Sequence, residues 1–215
     1  MIKFGKYLAA GGLMIGLLLG LSGCNGLIGA VKGPSNLFNL TPKTAFPQGM
    51  PNVKWQLVVE EPLANGGLNT ARIALRPNHL EVKYFADARW TERAPKMVQT
   101  LLVESFENTG RIVSVGRQVI GLRSDFNLKT ELREFQVEEF GGRKVRVRIN
   151  AKLVTQPRQT IVASQSFEST REIAGKTMAA SIRAWDSALG DVLKQVVMWT
   201  LDEGRAAQSR KSRRR

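Results

Sequence analysis

From Val145 to Leu153 every second residue is apolar: Val145, Val147, Ile149, Ala151 and Leu153 alternate with Lys144, Arg146, Arg148, Asn150 and Lys152. Successive side chains of a strand point to opposite faces, so this spacing predicts a long strand with one face in a core and the other in water. The preceding segment carries a more specific instruction. Phe126, Leu128, Thr130 and Leu132 keep one phase, whereas Phe135 and Val137 take the other. A period-2 pattern that slips by one residue predicts a β-bulge near Arg133-Glu134. Gly141-Gly142 marks the turn between the two strands, and keeping the apolar positions on one face requires a three-residue loop, Phe140 to Gly142. That register sets Glu138 opposite Lys144 and Glu134 opposite Arg148, so the basic stripe reads as structural charge pairing rather than as a ligand-binding strip.

The flanking sequence supplies partners for these strands. Trp55, Leu57 and Val59 alternate from Lys54 onward; Ile73 and Leu75 precede a Pro77-Asn78 turn, and Leu80, Val82 and Tyr84 alternate beyond it, as in a hairpin. Between Arg93 and Asn108 the period changes to three and four, with Ala94, Met97, Val98, Leu101, Leu102 and Phe106 on one helix face. Pro95 fits a first turn and Gly110 a stop. Short strands are expected at Ile112–Val115 and Thr160–Glu168. Met178, Ile182, Trp185, Leu189, Val192, Val196 and Trp199 then follow helical spacing. The expected fold is a single α+β domain, a mainly antiparallel sheet packed against two helices.

The N-terminus limits where such a domain works. Lys3 and Lys6 precede an apolar run from about Leu8 to Leu21, and small residues follow, the layout of a secretory leader. Leu21, Ser22, Gly23 and Cys24 read as a bacterial lipoprotein processing site, with Cys24, the only cysteine of the chain, as the lipidated mature N-terminus. A lone cysteine in an exported protein otherwise implies a free thiol or an intermolecular bridge. An uncleaved anchor is the alternative, but Gly11, Gly12, Gly16 and Gly20 dilute a run already shorter than the roughly 20 residues that cross a bilayer. Residues 1–23 are therefore expected as a signal peptide, 24–52 as a flexible tether rich in Gly, Pro, Asn and Ser, 53–203 as the folded domain, and 204–215 as a basic disordered tail. Fully extended, the tether could reach on the order of 90 Å. With no second cysteine for a disulfide, stability must come from packing.

A net charge of +14 resembles a nucleic-acid signature until it is divided along the chain. Two lysines leave with the leader, and Arg205, Arg210, Lys211, Arg213, Arg214 and Arg215 crowd the last eleven residues without an acid among them, so six excess charges remain for the domain. Lipid headgroups, acidic partners and nucleic acid all attract such a tail, and export makes nucleic acid the least fitting. A solvated end without a dedicated partner is the bland reading.

Chemistry is scarce. His79 is the sole histidine and sits beside a turn, which excludes His-rich metal sites and repeated His–carboxylate arrangements. No Gly-x-Ser-x-Gly elbow or Walker-type phosphate loop is present. The adjacent acids Glu60-Glu61 and Glu138-Glu139 cannot share one face of a strand, which weakens them as a glycosidase pair. No catalytic residue, metal or cofactor is expected.

Tyr84-Phe85-Ala86-Asp87-Ala88-Arg89-Trp90, leading through Pro95 into the helix that ends near Phe106, resembles the ABC-type transport auxiliary lipoproteins, which have a similar Tyr-Ala-Asp-x-Arg-Trp segment. Phe38-Asn39-Leu40, Thr70 to Leu75, Leu132 to Phe135 and Ala184-Trp185 to Trp199 extend the likeness over roughly Phe38 to Trp199. Trp185 stands where these proteins more often have Phe. The resemblance implies a lipid-anchored, non-catalytic subunit that docks or tethers an ABC-type transport system. That system comprises a mammalian-cell-entry-domain protein, a permease and an ATPase, and moves phospholipid or a related substrate between membranes. It also implies a periplasm-facing position, on the outer rather than the inner membrane, with which Asn25 after Cys24 is compatible. Tyr84, Asp87, Arg89 and Trp90 are the family-motif residues, and a packing role is the favoured reading of Trp90 and Arg89. Two other readings compete: a periplasmic module that uses the basic tail (Arg210, Lys211, Arg213, Arg214, Arg215) on anionic envelope surfaces, and an envelope hydrolase.

Overall fold

The computed structural model describes residues 35–117 and 123–213, and residues from Ser35 onward form one compact unit. The leader, the Leu21–Cys24 site, Arg214 and Arg215 lie outside the described residues. In chain order the elements are β1 (Asn36–Phe38), β2 (Val53–Val59), β3 (Leu63–Ala64), β4 (Arg72–Arg76), β5 (Lys83–Trp90), α1 (Ala94–Glu107), β6 (Ile112–Arg117), β7 (Phe126–Glu138), β8 (Lys144–Thr155), β9 (Ile161–Glu172) and α2 (Met178–Ser212). This is the expected α+β domain. Its long ladders, β7–β8 and β8–β9, are antiparallel, as is the β4–β5 hairpin.

Strand β7 is the spine. One edge carries β8 along its whole length, and the other carries β2, β3 and β4 one after another, each parallel to it, at Phe126–Leu128, Glu131–Leu132 and Gln136–Glu138. The register shifts between Leu132 and Glu134, so the bulge lies where the apolar phase slips. It returns Phe135 and Val137 to the buried face that Phe126, Leu128 and Leu132 occupy. Glu138 pairs with Lys144 and Glu134 with Arg148, as the loop argument requires. Gly141 and Gly142 both take positive φ, 65° and 92°, which suits residues without a Cβ.

Both helices form as the spacing predicts. α1 has Pro95 in its first turn, and Gly110 beyond its end is left-handed at φ 60°. Its buried Gln99 donates from Nε2 to the Val59 carbonyl (2.9 Å), so an amide in the core is satisfied by the strand beneath it. α2 is capped by Thr177, whose hydroxyl accepts the Ala180 N–H (3.2 Å). α1 lies on β2 and β6 and touches α2, while α2 crosses β8 and β9. The core between helices and sheet holds Trp55, Trp90, Trp185, Phe106 and Phe135, all nearly inaccessible to solvent.

Two expected boundaries are corrected. The tether of residues 24–52 is too long, because residues 35–52 pack on the domain. β1 runs parallel to the end of β5, Leu40, Met50 and Pro51 are buried, and Thr41 donates its backbone N–H (2.7 Å) and hydroxyl (2.9 Å) to the Asp186 carboxylate of α2. Farther along, the Lys43 N–H donates to Ser105 Oγ on α1 (2.9 Å). The basic disordered tail is also corrected. α2 continues for 35 residues to Ser212, so residues 204–212 are its last turns. Large apolar residues stop near Leu201, yet Thr200, Gly204 and Ala207 continue the same stripe with small side chains that let the helix approach the sheet closely.

Candidate functional site

The family-motif segment is placed by β5 and its packing. Ala88 and Trp90 point into the core while Asp87 and Arg89 are exposed. The Trp90 ring meets Phe135 at 5.5 Å between centroids and Trp185 edge-on at 5.1 Å, and Phe135 meets Trp185 at 5.8 Å. Residues from three segments far apart in sequence, β5, β7 and α2, thus form one aromatic cluster. Such pairs contribute roughly 0.5–1.5 kcal/mol each beyond burial. Trp185 Nε1 has no hydrogen-bond partner among the described residues, so its contribution is packing. Tyr84 Oη donates to the Gly67 carbonyl (3.1 Å), and the Arg72 guanidinium lies 3.8 Å above its ring. Arg89 forms no salt bridge with Asp87; it sits between Leu37 of β1 and Arg72 of β4 in the ladder. The side chain of Asn36 instead donates to the Asp87 carbonyl (3.3 Å).

The polar face of β7, β8 and β9 is an ion-pair lattice. Arg146 donates from Nε to Glu138 (2.9 Å) and contacts Glu168 (2.5 Å), and Arg148 contacts Glu134 (2.8 Å), which also lies 3.5 Å from Arg76. Glu138 is nearly fully buried, with Lys144 3.8 Å from its second oxygen. Burial works against the charged form of Arg146, but the hydrogen bond and charge of Glu138, then Glu168 and Glu134, raise its pKa above the ordinary value. A lattice of this kind holds strands in register.

The other acids and the histidine are engaged locally. Glu60 accepts from Asn127 (2.9 Å) and Lys129 (3.0 Å), while Glu61 pairs with Arg93 (2.8 Å), so the two adjacent acids serve different partners. His79 packs against Phe140, with ring centroids 4.0 Å apart and planes tilted by 51°, joining the tips of the β4–β5 and β7–β8 hairpins. Among the described residues no group of three or more His, Cys, Asp or Glu side chains is placed to hold a metal ion. No described helix is long and apolar enough to cross a membrane.

The basic C-terminus forms something the sequence did not reveal. The last turns of α2 face the turn between β8 and β9 across a cleft of about 700 Å³ that is open to solvent on one side. The turn is closed by Thr155 N–H donating to the Thr160 carbonyl (2.9 Å) and is tied to β7 by Gln156 N–H donating to the Asp125 carbonyl (2.9 Å). Arg210 and Lys211 line one wall and Arg158 the other, and Phe126, Val162 and Ala207 contribute apolar surface. Arg213 is the exposed C-cap of α2. Sequence reasoning missed Arg158 because nothing local marks it; only the unnoticed length of α2 brings it near Arg210.

Comparison with known proteins bears on the fold and the motif segment. The model of the ABC-type transport auxiliary lipoprotein component family matches residues 37–197, which include the motif of β5, α1, the aromatic cluster and α2 as far as Val197, but not the last turns of α2 that line the cleft. An uncharacterized protein of Bradyrhizobium diazoefficiens is 28% identical over 191 residues, which cover 88% of this chain and 51% of that protein; the chain therefore spans about half the length of this relative. The crystal structure of protein XCC0632 from Xanthomonas campestris superposes with a TM-score of 0.77 at 30% identity, covering 81% of this chain and 99% of that one. A second crystal structure, of an uncharacterized protein, shares the fold at a TM-score of 0.56 and 15% identity, covering 82% of this chain and 98% of that one.

Proposed function

The chain belongs to the ABC-type transport auxiliary lipoprotein component family, and from that premise we propose that it is a lipid-anchored, periplasm-facing subunit that docks or tethers an ABC-type lipid transporter without catalysing a reaction itself. Its partners in this reading are a mammalian-cell-entry-domain protein with its permease and ATPase, and the cargo is a phospholipid or related amphiphile. The anchor is diacylglycerol on Cys24, in the outer membrane.

The packing of residues 35–52 on the helices carries this reading furthest. Only the stretch between Cys24 and Ser35 is left to link a lipid anchor to the folded body. Eleven residue steps span at most about 40 Å, far less than the longer tether expected from composition alone. The domain is thereby held within about one bilayer thickness of the membrane that retains it, a fitting position for a component that receives another at the membrane surface. Two or more acyl chains would make that retention permanent.

Crosslinking in intact envelopes, followed by isolation of the full-length chain, tests the docking reading. Recovery of a mammalian-cell-entry-domain protein is expected. Its consistent absence, with the chain itself efficiently crosslinked to other envelope proteins, would remove the reading.

A further inference from the structure

We propose that the cleft between the C-terminal turns of α2 and the β8–β9 turn binds the phosphate-diester head group of a single anionic phospholipid, with Arg158, Arg210 and Lys211 as its cationic ligands. The first support is uncompensated charge. No Asp or Glu follows Glu203 in the chain. Among the described residues the one salt bridge of α2's last turns is Arg205–Asp202 (3.3 Å), which leaves the three cleft cations without an acidic partner. One acid, Asp125, lines the cleft; its Oδ2 accepts the Gln56 N–H on β2 (2.9 Å), and no salt bridge joins it to Arg158, Arg210 or Lys211, so the three cations still exceed it by two charges. The C-terminal carbonyls of α2 supply roughly half a negative charge, which three cations exceed.

The second support is chemical composition. An isolated phosphate needs donors only, whereas this cleft sets its donors beside Phe126, Val162 and Ala207. Guanidinium groups suit the paired oxygens of a phosphate diester, and the apolar floor suits the glycerol and first methylenes attached to it. A cleft of about 700 Å³ is within the usual size for one small ligand. The floor is also rigid, because Phe126 packs edge-on against the buried Trp55 at 5.0 Å. The floor thus needs no ordering on binding, whereas the three exposed cationic side chains do.

The inference names a lipid for the transport reading and takes its physiological meaning from it. The binding itself is measured on purified protein, so either can fail while the other stands. The test is calorimetric titration of the full-length chain, in non-ionic detergent, with dihexanoyl phosphatidylglycerol, dihexanoyl phosphatidylcholine and glycerol phosphate. Phosphatidylglycerol is expected to bind one to one. The zwitterionic lipid keeps the phosphate diester but brings its choline cation among three like charges, and free glycerol phosphate lacks the apolar contacts, so each should bind about tenfold more weakly or worse. The combined variant Arg158→Gln, Arg210→Gln, Lys211→Gln should lose at least that factor. Arg158→Gln alone, which lies off the helix, should lose part of it, and Lys194→Gln elsewhere on α2 should lose none. Equal binding of the two lipids, or full binding by the combined variant, would overturn the proposal. Glycerol phosphate binding as tightly as phosphatidylglycerol would show a phosphate site with no preference for lipid, and would overturn it too.

Discussion

Gly204 of α2 lies directly against the indole of Trp55 on β2: a Cβ at position 204 would stand 2.4 Å from Cζ2 and 2.9 Å from Cε2 of that ring. The ring cannot swing aside, since Trp55 is fully buried and braced by Phe126. A glycine in mid-helix ordinarily weakens the helix, and its replacement by alanine gains up to about 1 kcal/mol. Here close approach reverses the sign.

Gly204→Ala should therefore destabilise the domain by about 1–3 kcal/mol, the usual cost of overpacking a filled core. For a domain of this size that corresponds to roughly 2–4 °C in Tm per kcal/mol. Thermal unfolding followed by circular dichroism checks it. An increase in Tm would mean that α2 does not press on Trp55, and the ordered helix beyond Leu201 would lose its main support.

The aromatic cluster gives a second outcome. Trp185→Ala should cost about 3–5 kcal/mol and Trp90→Ala a similar amount. In a double-mutant cycle Trp90 and Trp185 should couple by about 0.5–1.5 kcal/mol, because their rings touch edge-on. Denaturant unfolding of the four proteins measures it. Strict additivity would contradict the contact.

On the polar face, Glu138→Ala should destabilise by about 1–3 kcal/mol, since it removes the buried acceptor of Arg146 Nε, which keeps Glu168, and the acid facing Lys144. Asp202→Asn, in an exposed pair one helical turn from Arg205, should change Tm little. Urea titrations at low and high salt check both, and the first effect should persist in salt while any effect of the second fades.

The Asp186 carboxylate ties the N-terminal strap to α2 through Thr41. Asp186→Ala should expose residues 36–43 to hydrogen exchange while the β7–β8 ladder keeps its protection, with a cost of about 1–3 kcal/mol for the unpaired donors. Exchange mass spectrometry locates the effect. Unchanged protection of the strap would show that burial of Leu40 and Met50 holds it without that carboxylate.

What the sequence made legible follows from what kind of interaction each element uses. The β7 bulge, the β7–β8 register and both helix starts could be read because a single buried face imposes a local period, 2 or 3.6 residues, on the chain. β1 left no such trace. It is three residues long among prolines, and Thr41 and its partner Asp186 lie 145 residues apart in the chain. The last turns of α2 were unreadable for a different reason: Gly204 and Ala207 pack through their smallness, and small residues among arginines look like a solvated end. The parallel joins of β2, β3 and β4 to one edge of β7 are set by tertiary geometry, which no window of sequence contains. For the site, the motif residues were visible by resemblance, whereas the cleft required two segments about fifty residues apart to meet.

The most direct test of the account is the intact mass of the mature N-terminus purified from membranes. The account predicts a chain beginning at Cys24 and carrying a diacylglyceryl group, and predicts that Cys24→Ala moves the protein out of the membrane fraction. A chain that begins at Met1 with an unmodified Cys24, or that leaves membranes in a simple salt wash, would contradict it.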